Sequence, residues 1–265
     1  MMQQARFDDS SIKMPVLFVG HGNPMNAIED NAFSRAWAEV GQALPRPQAI
    51  LCVSAHWETP GTLVTAMDRP RTIHDFGGFP RALYEKLYPA PGSPELAQLV
   101  KGTVAGASVG LDQTWGLDHG AWSVLCRMYP KADIPVVQLS LDYSQQPAYH
   151  YALGQELRAL RRKGVLIVGS GNIVHNLRLM VWQEQAYDWA IEFDQTIKDL
   201  ILSGNHQPIV HYEALGRAAQ LSIPTNEHYL PLLYVLGAQE PGEQARFFAE
   251  RVTMGSISMR GVWIA

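Results

Sequence analysis

His21, His56, His175 and His228 are the residues of this chain whose type and setting bear most directly on chemistry. Three of them sit where an apolar, strand-like run gives way to a turn containing Gly or Ala. The runs are Met14-Pro-Val-Leu-Phe-Val-Gly-His21-Gly, Ala49-Ile-Leu-Cys-Val-Ser-Ala-His56-Trp and Val165-Leu-Ile-Val-Gly-Ser-Gly-Asn-Ile-Val-His175. In an open α/β sheet the ligand crevice lies beyond the carboxyl ends of the strands, near a topological switch point. Imidazoles placed there from distant segments can converge on one point, and imidazole is the commonest biological metal ligand. A lone loop histidine reads as a hydrogen-bonded structural residue. The repeated placement instead points to one mononuclear metal site.

His228 lies in Pro224-Thr-Asn-Glu227-His228-Tyr-Leu-Pro231, where Glu227 competes as a ligand. Two His plus Glu227 would make the facial triad of non-haem Fe(II) oxygenases, whereas three His suit zinc, iron or another imidazole-loving metal. Local sequence leaves both open. His150, His206 and His211 fall in polar helical or loop contexts and are expected to face solvent. Two more segments concentrate polar groups, Thr72-Ile-His74-Asp75-Phe-Gly-Gly-Phe-Pro80 and Gly116-Leu-Asp118-His119-Gly-Ala-Trp122. Paired glycines beside aromatics suit a loop that packs closely on something flat. Asp75 and Asp118 serve equally well as caps or turn formers. Gly169-Ser-Gly-Asn172 lacks the full dinucleotide fingerprint and the P-loop Lys, and no Gly-x-Ser-x-Gly elbow marks a serine hydrolase.

The elements that must carry these residues are short continuous apolar runs separated by amphipathic segments. Strands are expected at Val16–Gly20, Ala49–Ser54, Thr62–Ala66, Ile134–Ser140 and Val165–Gly169. A late pair, Val252–Ser256 and Gly261–Ile264, is expected as an antiparallel edge. Unbroken apolar runs suit strands covered on both faces. Ser93-Pro94-Glu95 gives a helix cap, a Pro at the first position and an acid in the first turn. Leu96, Leu99, Val100 and Thr103 then share one face, as do Tyr149, Leu153, Leu157 and Leu160, and Phe193, Ile197, Leu200 and Ile201. The expectation is an α/β fold: a polar, flexible tail over 1–13, then one domain over 14–265 with a mostly parallel sheet, helices on both faces and the metal site at the carboxyl ends of the strands.

Bulk properties exclude several classes of function. The chain has 265 residues, 21 basic and 25 acidic side chains and a net charge of −4, so nucleic acid is not an expected partner. Its longest basic run, Arg161-Arg162-Lys163, precedes Gly164 and reads as a helix C-terminus rather than a phosphate site. No apolar run reaches the ~18 residues of a membrane span, and residues 1–13 lack the apolar centre of a signal peptide. The two cysteines, Cys52 and Cys126, sit in apolar strand-like and helical segments and read as reduced core residues. A cytoplasmic monomer is expected.

Seven motifs occur in order: Gly20-His21-Gly-Asn-Pro24, Ser54-Ala-His56-Trp57, Thr72 to Pro80, Tyr88-Pro-Ala-Pro-Gly92, Gly116-Leu-Asp-His-Gly120, Gly169-Ser-Gly-Asn-Ile-Val-His175-Asn-Leu-Arg178 and Glu227-His228-Tyr-Leu-Pro231. Together they closely resemble the bacterial 4,5-DOPA extradiol dioxygenases, which are class III, LigB-type ring-cleaving enzymes. The resemblance runs from about Met14 to the C-terminus. Asn23 departs from the Ser or Thr expected before the Pro, which bears on substrate preference more than on metal binding. The resemblance implies His21, His56 and His228 as metal ligands and His175 as catalytic acid/base. In a zinc-loaded resting form it allows His175 as a fourth ligand. It also implies Asp75 and His119 at the catechol pocket, with His119 bonding substrate or oxygen. Fe(II) would support cleavage of a catechol such as L-DOPA by dioxygen. Zn(II), which has no redox chemistry, is the metal expected in isolated protein. The readings that compete with it are a zinc hydrolase using metal-bound hydroxide, and a catechol- or metal-binding protein without turnover.

Overall fold

The computed structural model describes residues 7–265. Its strands are β1 (Val16–Gly20), β2 (Ala49–Thr59), β3 (Thr62–Thr65), β4 (Val109–Asp112), β5 (Val136–Asp142), β6 (Val165–Gly171), β7 (Ala245–Phe248), β8 (Val252–Thr253), β9 (Ile257–Ser258) and β10 (Gly261–Ile264). Its helices are α1 (Ala32–Ala43), α2 (Arg81–Tyr84), α3 (Pro94–Thr103), α4 (His119–Met128), α5 (Pro147–Leu157), α6 (Asp188–Leu202), α7 (Gln207–Val210), α8 (Arg217–Ser222) and α9 (Leu230–Gly237). Eight strands form one sheet in the order β4-β3-β5-β2-β6-β1-β10-β7. Its centre, β5-β2-β6-β1, is parallel, and β10 and β7 add an antiparallel edge beyond β1.

The centre forms this way because both faces of its strands are apolar. Val16 and Phe18 of β1 join one core with Leu51, Val53, Leu139, Ile167 and the helices α3, α5, α6 and α9. Leu17 and Val19 alternate to the other face and join Ile50, Cys52, Val168 and the helices α1 and α4. Period-two side chains thus feed two helical layers from one strand. Cys52 and Cys126 are free and buried, as the sequence indicates. Ser93 caps α3 by accepting from the Leu96 N–H, and Gly164 takes the left-handed turn expected after Lys163, at φ 71°. Among the described residues no helix is long and apolar enough to cross a membrane.

Three expectations need correction. The late strand expected over Val252–Ser256 is only Val252–Thr253, because Met254 and Gly255 both turn to positive φ and fold the chain back onto β9. The partners of β10 are therefore β1 and β7. β2 does not end at Ser54 but runs on to Thr59, so His56 projects from a strand rather than from its closing turn. His150 does not face solvent. It is fully buried, with Nδ1 3.0 Å from the Tyr234 hydroxyl, and burial pushes it down to about 4. The reason is α9, which is buried on every side and needs α5 as cover.

Residues 1–6 of the expected tail lie outside the described residues. Ser10 and Met14 donate backbone N–H groups to Arg162 and Arg161 carbonyls, and Lys13 Nζ is 2.6 Å from Glu243 Oε1. Arg161 is itself fully buried, bonded to the Met14 and Ala238 carbonyls and to Glu243.

The α5–α9 contact makes a prediction whose sign is informative. A Cβ on Gly154 would stand 2.4 Å from the Tyr234 carbonyl oxygen. Helix propensity favours Ala over Gly by about 1 kcal/mol, but forcing backbone apart in a packed core costs about 1–3 kcal/mol. Gly154→Ala is therefore expected to destabilise by up to about 2 kcal/mol, read as a lowered urea midpoint at unchanged slope.

Candidate metal centre

The candidate residues meet at the carboxyl ends of β1, β2 and β6. His21 follows β1 directly, and Gly22 at φ 55° turns the chain away so that the imidazole stays over the strand end. His56 points in from the extended part of β2. His175 follows β6 and is tied by its N–H to the Ser222 carbonyl. His228 precedes α9, and its carbonyl accepts from the Asn172 N–H beside β6. Asp118 caps α4, accepting from Ala121 N–H, Ser54 Oγ and Gln138 Nε2, and this sets His119 as the first helical residue. Burial raises the fully enclosed Asp118 carboxyl above its ordinary range. Its role is the cap anticipated as one reading of that segment.

Three rings form a nearly regular triangle. The centroid separations are 5.0 Å for His21–His56, 5.2 Å for His21–His228 and 5.0 Å for His56–His228. Each ring has its Nδ1 turned toward an oxygen acceptor. His21 Nδ1 is 3.0 Å from Ser170 Oγ, which already donates its own proton to the Gly120 carbonyl and so must accept from the ring. His228 Nδ1 donates to Glu227 Oε1 at 2.9 Å, and His56 Nδ1 lies 3.5 Å from Asp75 Oδ2. Fixing Nδ1–H leaves the Nε2 lone pair bare, which is the arrangement a metal-binding imidazole needs. His21 Nε2 and His56 Nε2 are 3.0 Å apart.

This geometry fits a single small cation. With metal–nitrogen bonds of about 2.1 Å, rings sharing one ion at tetrahedral to right angles have centroids about 4.5–5.2 Å apart. The His21–His56–His228 set meets that range. His228 supports the triangle by its ring separations, while the donor atoms that cluster with those of His21 and His56 are those of His119, whose ring is 3.9 Å from His56 and 5.6 Å from His21. Its Nδ1 lies 2.9 Å from Asp75 Oδ2, and its backbone N–H donates to the other Asp75 oxygen. His175 stacks on His228 at 3.4 Å and 7°. Two parallel rings that close do not aim at one point, so this stacking suits a neighbour of the ion better than a fourth ligand. Glu227, with His175 and His228, forms a second cluster. Its bond to His228 makes it an acceptor that orients that ring.

Burial sets the protonation of the group. It pushes His21 and His228 well below the ordinary imidazole range, His56 to about 3 and His175 to about 4, with neighbouring imidazoles adding to the effect. Glu227 opposes it in part at His56 and His175. Burial alone would raise Asp75, but the hydrogen bonds and charge of His119, with His56, hold it below the usual carboxylate value. Near neutral pH His21, His56, His175 and His228 are thus uncharged beside ionised Asp75. Metal binding there displaces no proton from the rings.

A cavity of about 330 Å³ opens over these rings. All six residues expected at the site line it: His21, His56, Asp75, His119, His175 and His228. Its apolar wall includes Phe76 and Phe79, from the segment the sequence singles out, and Met180, Trp182 and Ile257, which sequence reasoning missed. That reasoning also missed Ser170, although a Ser between two glycines at an apolar strand end is a signal of a polar contact.

The chain was compared with known proteins. A family profile described as the catalytic LigB subunit of aromatic ring-opening dioxygenase matches residues 15–259. A 4,5-DOPA dioxygenase extradiol of Escherichia coli (strain K12) is 53% identical over 96% of both chains. A protein of the same name from Beta vulgaris is 40% identical over 86% of this chain and 88% of its own. The crystal structure of an uncharacterized protein from Escherichia coli K12 superposes with a TM-score of 0.83 at 48% identity, covering 95% of this chain and all of that one (100%).

Proposed function

The chain belongs to the family of the catalytic LigB subunit of aromatic ring-opening dioxygenases, and on that premise we propose that it opens catechols such as L-DOPA at the 4,5 bond, giving 4,5-seco-DOPA, at one Fe(II) held by His21, His56 and His228. It is an enzyme of the extradiol type, as its relatives are. The observation that supports the ligand set is the triangle of rings at 5.0, 5.2 and 5.0 Å, with Nδ1 of His21 and His228 hydrogen-bonded to oxygen and that of His56 3.5 Å from Asp75 Oδ2.

Iron(II) held by His21, His56 and His228 would supply the one-electron chemistry that lets dioxygen react with a diol. The protein does the rest. The apolar wall holds the aromatic ring flat against the histidine cluster and limits water. His175 is uncharged and adjacent to His228, so it accepts a proton from a catechol hydroxyl oxygen and returns it when the ring opens. Asp75 accepts from the His119 backbone N–H and its other oxygen lies 2.9 Å from Nδ1, so the ring stays at the cavity, where it bonds a substrate oxygen. The identity of the product tests the reading. L-DOPA supplied to the iron-loaded protein should give a yellow species whose mass is that of L-DOPA plus one dioxygen. A product carrying water instead would favour hydrolysis.

Glu227 gives a further prediction. As the acceptor for His228 Nδ1 it orients a ligand, and such partners typically matter about 10–100-fold in metal affinity. Glu227→Gln should weaken Fe(II) binding by that factor, with full occupancy restored by excess metal. A chelator-competition titration reads both.

A further inference from the structure

Trp182 is a large side chain of the cavity that the proposed chemistry does not use. It lines the same space as His175, Leu177 and Met180, yet it is 77% exposed. Leu177 beside it is 59% exposed. An exposed indole at the rim of an otherwise apolar pocket is an unfilled contact, since large apolar patches on a protein surface mark binding sites. Among the described residues no other ring packs on Trp182. Phe76, by contrast, is held by Phe79 at 5.3 Å, Tyr84 at 5.2 Å and His119 at 5.6 Å.

The cavity also has a one-sided charge. Asp75 is the one residue of fixed charge among its lining side chains, and no ammonium or guanidinium appears there among the described residues. A flat apolar group on the far end of a substrate would gain the Trp182 face. The diol end of a catechol is claimed by the histidine cluster, so whatever the ring carries on its opposite side points toward the rim.

We propose that Trp182 is a specificity-determining residue that stacks on a flat, apolar substituent of the catechol ring, so that an aryl substituent tightens binding over the unsubstituted ring. This rests on the reading of the site as a catechol-binding metal centre. Stacking of this kind together with the area covered amounts to about a tenfold preference.

The test is a calorimetric titration of zinc-loaded protein, which binds without turnover, using catechol and 4-phenylcatechol. The native protein should bind 4-phenylcatechol about tenfold more tightly. Trp182→Ala should remove most of that ratio, and Trp182→Phe should keep about half of its logarithm. Because the residue is exposed, both variants should fold as the native chain does. Equal affinities for the two ligands in native protein, or a ratio that survives Trp182→Ala, would overturn the proposal. Ring opening is followed separately with iron. Its absence, with the binding ratio intact, would count against the dioxygenase reading and leave the role of Trp182 standing.

Discussion

Replacing His21 with alanine is expected to empty the metal site and abolish ring opening while leaving the fold in place. His21 is 1% exposed and anchors one corner of the imidazole triangle through Ser170. Loss of an orienting partner alone typically costs about 10–100-fold in metal affinity, so loss of a ligand should exceed about 100-fold. Iron content after dialysis should fall from one per chain to a small fraction, with oxygen consumption at the level of metal-free protein. The fold should survive because the metal-free cluster is already a set of neutral rings, pushed well down by burial, and removing one relieves no charge pair. A variant with full iron content would shift the ligand set toward His56, His119 and His228. A circular dichroism melt separates that outcome from misfolding.

The second large effect belongs to His175. His175→Ala should keep one iron per chain and lose turnover by about 10²–10⁴, the usual contribution of a positioned acid or base. Its ring stacks on His228 rather than pointing with it, so the alanine removes a proton carrier and one face of packing. Iron analysis beside single-turnover kinetics gives the answer. If metal content collapses with activity, His175 is a ligand first.

The parallel centre of the sheet was legible because Val16–Gly20 and Val165–Gly171 are unbroken apolar runs with both faces covered. β4 and β7 were not, since Val-Gly-Leu-Asp and Ala-Arg-Phe-Phe are short edge strands without a clean period. Local pattern placed His21 and His175 after strands, but it took the seven ordered motifs to single out His228 over Glu227. In the structure His228 Nδ1 lies 2.9 Å from Glu227 Oε1, which pairs the two residues. His150 misled because its neighbours along the chain, Gln146, Pro147 and Tyr149, are polar or neutral. What buries it is α9, some eighty residues later, a long-range contact that no local window contains.

Dioxygen uptake by metal-stripped protein given L-DOPA, after anaerobic return of Fe(II) or Zn(II), tests the central claim most directly. The structure's triangle of imidazoles with an adjacent proton acceptor predicts one dioxygen consumed per L-DOPA with iron and none with zinc. Zinc-supported turnover without oxygen consumption, or no uptake with iron across a set of catechols, would contradict it.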